Sequence, residues 1–324
     1  MRTKLLLSTL AVAAVHSGFA QKAVPLGSMV ALPADDPNIS TEVCWTDPNV
    51  LGVLLRVHWR EVEPHDGGYD WGYFTTGLQL ATTNQKWVVL SVDGSHPPNW
   101  LWADGVPQWT SSQGDTGPYP WDSTLQAKWS AMVTAMGSQF NSQSLVHAVT
   151  MWCGGTAIEC YFAKTSADAT ALDQIAGGGN GSGAAFWENA AKTLITDFLN
   201  AFPNTPVYLA AGLCYPDNNA TMTDLANWHL GQSPGAKGMQ SDALAMFYPT
   251  NKIFPHTTLS TSNLSQIMYQ DLAPIGNPRM KGATLAQVIS HGEKENAKAI
   301  QVYPTDPATD ETALADFNAY VGVP

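Results

Sequence analysis

Two apolar patterns alternate along the chain. Short runs that are apolar at most positions and closed by turn residues recur at 27–33 (GSMVALP), 52–59 (GVLLRVHW), 86–93 (KWVVLSVD) and 145–152 (LVHAVTMW). They continue at 207–215 (VYLAAGLCY), 237–245 (KGMQSDALA), 265–272 (SQIMYQDL) and 298–304 (KAIQVYP). Runs of that length predict strands covered on both faces. Between them lie longer stretches with helical spacing, among them DWGYFTTGLQLATTN, STLQAKWSAMVTAMGSQF, GAAFWENAAKTLITDFLNAF, TMTDLANWHLGQ and GATLAQVISHGEKENAK. Eight strands alternating with helices, with no charge-rich linker between them, predict an α/β fold, a (β/α)8 TIM barrel forming a single domain. For the sixth strand, IFPHTTLST competes with 237–245.

A barrel of this kind builds its active site at the C-terminal ends of its strands. In the second run, side-chain alternation puts Leu54, Arg56 and His58 on one face, and the last inward positions of a barrel strand line its mouth. Arg56 and His58 are therefore expected to order a site there. The alternative for Arg56 is an ion pair of purely structural use.

The first segment, MRTKLLLSTLAVAAVHSGFAQK, has a basic start, an apolar stretch too short to span a bilayer, and small residues before Gln21. That is the pattern of a cleaved secretory signal over 1–20, leaving 21–324 as the barrel, secreted or periplasmic and without a membrane anchor. Export permits disulfides, and Cys153 and Cys160 bracket GGTAIE closely enough for a bridge to brace that loop, while Cys44 and Cys214 complete an even set.

The formal net charge of -12 argues against a nucleic-acid partner, because phosphate binding draws on clustered Lys and Arg. Only 13% of residues are charged, yet there are 12 Trp. That combination suits contact with sugar as well as core packing. The partner expected is a carbohydrate, and the chain is expected to act as a monomer.

The segment RVHWREVEPHDGGYDW resembles the second-strand region of the clan A (β/α)8 glycoside hydrolases, such as the family 5 glucanases and family 42 galactosidases. KWVVLSVDGSHPPNWL is similar to their third strand and the loop after it. The resemblance implies hydrolysis by two carboxylates, an acid/base at the end of strand four and a nucleophile at the end of strand seven. In this sequence MWCGGTAIECYF offers Glu159 as the acid/base, among apolar neighbours that would raise its pKa.

Strand seven departs from the pattern. IMYQDLAP carries Gln270 where the nucleophilic Glu is expected, with Asp271 beside it, and Gln cannot serve as a nucleophile. Alternation turns these two residues to opposite faces, so at most one points into the mouth. Asp271 is one candidate for the second carboxylate. Another strand end could supply it instead (Asp93, Asp217, Asp242 and Asp306 are available), with an inverting mechanism. Failing both, the barrel binds glycan without cutting it, a reading to which Gln270 and Gln301 also point.

Aromatic side chains near the strand ends, His96, Trp100, Trp102, Trp109, Trp121 and Trp152, offer flat faces for pyranose rings, and Trp59 and Tyr303 stand at further strand ends. The cluster in PPNWLWADGVPQW is expected to form a substrate wall. GQSPG has the outline of an esterase nucleophile elbow, but Pro234 lacks the N–H that its oxyanion hole needs. The His residues show neither HExxH nor another paired ligand spacing, so motif reading points to no metal, and carboxylate chemistry of this kind requires no cofactor.

Overall fold

The computed structural model describes residues 21–155, 162–212, 214–217, 219–232, 237–245 and 266–323. Eight parallel strands close into a barrel: β1 (Gly27–Ala31), β2 (Gly52–His58), β3 (Trp87–Asp93), β6 (Val146–Met151), β7 (Val207–Ala211), β8 (Lys237–Leu244), β9 (Ile267–Asp271) and β10 (Ala299–Val302). β10 returns to pair with β1 in parallel register, Gly27 opposite Ala299 and Val30 opposite Val302. Each expected strand is present. The sixth is β8, whereas its competitor IFPHTTLST lies outside the described residues.

The layers follow from alternation. On β2 and β3, Val53, Leu55, Val57, Val88, Leu90 and Val92 face outward and join the core beneath the helices. Met29, Leu54, Val89, Ala148, Tyr208 and Met268 face inward and form a separate apolar plug in the barrel. Gly238 makes room for that plug, since a Cβ there would sit 2.4 Å from the Tyr208 ring. Further along the strands the inward positions turn polar: Arg56, Ser91, Thr150, Gln240, Gln270 and Gln301. A closed floor with a polar upper half is the layout that puts chemistry at the strand ends.

The outer ring includes α2 (Gly72–Asn84), α4 (Ser123–Phe140), α6 (Ser182–Ala201), α7 (Ala220–Gly231) and α8 (Leu285–Lys294). These match the helical spacings to within a few residues. α4 opens on Asp122, whose carboxylate accepts from the backbone N–H groups of Thr124 and Leu125, and α8 opens on a Thr284–Gln287 capping box. Periodicity had not marked α5 (Ser166–Ile175), which starts on a Thr165–Asp168 capping box, or α9 (Glu311–Tyr320). The loop after β3 carries secondary structure of its own. It folds into a short helix, α3 (Asn99–Ala103), and a hairpin of β4 (Gln108–Thr110) with β5 (Thr116–Pro118). α1 (Trp59–Val62) follows β2 directly.

No described helix is long and apolar enough to cross a membrane. Cys44 and Cys214 are free and buried. Of the expected bridge, Cys153 is buried at the end of β6, and Cys160 lies outside the described residues, as does the whole of 1–20.

Candidate active site

Arg56 and His58 do point into the mouth, as the alternation on β2 required. Arg56 Nη2 donates to Gln270 Oε1 at 3.1 Å, and Gln270 Nε2 donates to the Tyr303 hydroxyl at 3.2 Å. Three sequence-expected residues from β2, β9 and the end of β10 thus form one polar chain. Among the described residues Arg56 pairs with no carboxylate, and its buried Nε has no partner. Burial raises the Tyr303 pKa, opposed by its hydrogen bond with Gln270 and by the nearby Arg56 charge.

Gln270 is therefore the member of the strand-seven pair that faces the mouth. Asp271 lies on the other face of β9, fully buried, and neither of its carboxyl oxygens has a hydrogen-bond partner among the described residues. Burial, reinforced by the nearby Asp306, pushes its pKa well above the usual aspartate value. A carboxyl turned away from the mouth has no access to a sugar there. Asp306 and Asp217 are taken up as structural acceptors as well. Asp306 accepts from the backbone N–H groups of Ile275 and Tyr303 at 2.8 and 2.9 Å, and Asp217 accepts from the N–H and hydroxyl of Thr221.

Two other carboxylates do face inward. Asp242 on β8 shares a face with Gln240, whose Nε2 donates to Asp242 Oδ1 at 2.5 Å, while Gln240 Oε1 accepts from Gln301 Nε2 at 3.0 Å. Because an ionised carboxylate only accepts, it sets the direction of both buried amides. Gln301 thus reaches Asp242 only through Gln240. Asp242 is half-buried and close enough to Tyr303 to raise that hydroxyl's pKa.

Asp93 ends β3. Its Oδ1 accepts from Ser95 N and Oγ at 2.8 and 2.6 Å, and its Oδ2 accepts from His96 Nδ1 at 3.0 Å. Burial alone would raise this carboxyl, but the hydrogen bonds from His96 and Ser95 outweigh it and hold the pKa below the usual aspartate range. His58 Nε2 stands 3.8 Å from the same Oδ2, and the two imidazoles lie with ring centroids 4.1 Å apart. Asp35, which motif reading missed, anchors the other side of His58: its carboxylate accepts from His58 N at 3.1 Å and pairs with His58 Nδ1. Asp35 has a φ of 55° in the turn after β1, and no local pattern announces that its carboxylate reaches β2.

The aromatic expectations divide. Trp59 and Trp152 are fully buried and present no face to a ligand. Trp59 Nε1 donates to Glu63 at 2.8 Å and its ring meets Trp129 and Trp100 edge to face. Trp152 Nε1 donates to Gly155 O at 2.8 Å and its ring lies 4.8 Å from that of Trp129. Trp109 is buried too, at 4% exposed. Trp100 remains half-buried on α3, its Nε1 donating to Glu63 O at 2.9 Å, and the His96 side chain is 47% exposed, so these two still offer surface at the mouth. Glu63, from the motif EPHDGG, is itself a brace, accepting from Trp59 and from Gly67 N. The acid/base candidate Glu159 lies outside the described residues.

Solved structures similar to this one include three carbohydrate hydrolases. The catalytic domain of a β-amylase from Paenibacillus polymyxa matches with a TM-score of 0.61 at 13% identity, over 93% of this chain and 98% of that one. The chain has the fold of the (β/α)8 glycoside hydrolases. An endoglucanase from Pseudomonas stutzeri matches with a TM-score of 0.56 at 9% identity, over 92% of this chain and 94% of that one. A psychrophilic family 10 endo-β-1,4-xylanase matches with a TM-score of 0.50 at 10% identity, over 86% of each chain. No protein-family model matches the sequence, and no curated protein does. At these identities the likeness establishes the barrel and not its chemistry.

Proposed function

We propose that this barrel is an exported glycoside hydrolase that cleaves a polysaccharide or its oligosaccharides by single displacement, with Asp242 as general base and Glu159 as general acid. The observation that carries the reading is Asp242: an inward carboxylate held by the Gln301–Gln240 amide chain and close to Tyr303. Double displacement from strand seven is disfavoured, because the inward residue there is an amide already engaged by Arg56. A single displacement needs only an ionised base to activate water on one side of the sugar and a protonated acid on the other. Arg56, Tyr303 and His58 would orient hydroxyl groups, and Trp100 with His96 would receive a ring face. A Cys153–Cys160 bridge would brace the loop carrying Glu159.

The second reading, a barrel that binds glycan without cutting it, is favoured by the same Arg56–Gln270 contact. Reducing-sugar release from a panel of α- and β-linked polysaccharides, with the mature protein beside Glu159→Gln, separates the two. Release by the wild type, lost in the variant, with an inverted first-formed anomer by NMR, supports the proposal. Retention on a glycan affinity gel without release by either protein overturns it in favour of binding alone.

A further inference from the structure

The cluster at the end of β3 is built differently from the carboxylate chemistry just proposed. His58 Nε2, Asp93 Oδ2 and His96 Nδ1 all lie within 4.8 Å of one another. The pairing of His58 Nδ1 with the Asp35 carboxylate fixes the neutral tautomer, because only a protonated Nδ1 donates to that acceptor. In the neutral ring the lone pair sits on Nε2 and faces Asp93 Oδ2 at 3.8 Å, too far for a direct hydrogen bond. Two acceptors face each other across a gap that a positive charge would fill.

We propose that His58, Asp93 and His96 bind a first-row divalent cation such as zinc. Two imidazole nitrogens and one carboxylate oxygen are the donor set that zinc and its neighbours take in sites with an open position. Ligand atoms around such an ion sit roughly 3.4 Å apart, as metal–ligand bonds of about 2.1 Å at a tetrahedral angle require. The observed 3.0 and 3.8 Å bracket that separation. The cation takes the place of the Nδ1 proton of His96, which moves to Nε2 on the solvent side. The supporting shell is already in place. Asp35 holds the far nitrogen of His58 and its backbone N–H, while Ser95 saturates Asp93 Oδ1 and leaves Oδ2 turned toward the imidazoles. Asp93 is 6% exposed and the His96 side chain 47%, which gives a buried anchor and an open side where water or a sugar hydroxyl completes the coordination.

The test is zinc binding by the full mature chain after EDTA treatment and dialysis, titrated against a chromophoric chelator, with no need for hydrolysis. One zinc per chain is expected. His96→Ala, at an exposed loop position, and Asp93→Asn are each expected to weaken it at least tenfold. Asp35→Asn, which touches no metal, should weaken it by roughly 10- to 100-fold, the effect of losing a supporting carboxylate. Thermal melts check that each variant folds. The absence of stoichiometric binding, or binding that survives both His96→Ala and Asp93→Asn, overturns the proposal whatever the outcome of the glycan assays.

Discussion

Asp242→Asn separates chemistry from scaffold most cleanly. Asn has the shape of Asp, and its Oδ1 still accepts from Gln240 Nε2, so the Gln301–Gln240 chain keeps its direction. What disappears is the charge. A hydrogen bond to a charged group contributes about 1.5–3 kcal/mol against about 0.5–1.5 for a neutral one, so the fold should lose roughly 1 kcal/mol. A residue abstracting a proton in the transition state supplies about 10²–10⁴ in rate, which is about 3–5 kcal/mol at 1.36 kcal/mol per decade. The expected result is a small change in urea midpoint beside a fall of at least a hundredfold in kcat. Initial rates of reducing-sugar release, with circular dichroism melts on the same preparations, measure both. Activity within about threefold of wild type, with an intact fold, would remove Asp242 from the mechanism.

Stability should depend on pH through His229, which is fully buried in α7, contacts Gly238 O through Nε2, and has its pKa lowered by burial from 6.5 to about 4. The unfolded chain binds the extra proton first, so stability is intact above about pH 6.5 and is lost as pH falls toward 4, by about 3 kcal/mol in all. Urea melts near neutral pH and near pH 4.5 should show an acid loss about 2–3 kcal/mol smaller in His229→Leu, and an equal loss in both proteins would refute the assignment. In Gly94→Ala a Cβ would meet the Trp152 and Trp129 rings at 2.4–2.9 Å, and overpacking of that kind should cost about 1–3 kcal/mol by chemical denaturation. Trp100→Ala should weaken glycan retention on an affinity gel and cost less stability than the loss of a fully buried Trp. Trp59→Ala should instead cost about 3–5 kcal/mol in stability, since that ring lies wholly inside the core.

The barrel was legible because its strands are covered on both sides. A parallel strand between a plug and a helix layer reads as an unbroken apolar run, as GVLL and WVVL do, and its last inward residues stand out by being polar. That is why Arg56 and His58 could be placed on the mouth from the sequence, whereas alternation alone left open which of Gln270 and Asp271 faces it. The fate of an individual Trp could not be read in this way. Trp59, Trp100 and Trp152 look alike in sequence, and only the arrival of Trp129 from α4 decides that two of them are core. Asp35 was invisible for a related reason: its role is to reach from the turn after β1 to a histidine on the next strand, a contact made by topology. The grouping of His58 with Asp93 and His96 arises from register, which sets His58 opposite Asp93, and so leaves no spacing signature. α5 was missed because its start is signalled by a polar capping box rather than by a long apolar stripe.

The plug formed by Met29, Leu54, Tyr208 and Met268 has a consequence for traffic. It closes the lower end of the barrel, so every molecule that enters the mouth must leave by the same aperture. If the barrel cuts glycan as proposed, a cleaved fragment and the next chain compete for one doorway. The proposed hydrolysis should accordingly slow as fragments accumulate, by competition that added substrate relieves, and a tunnel open at both ends would not impose that constraint.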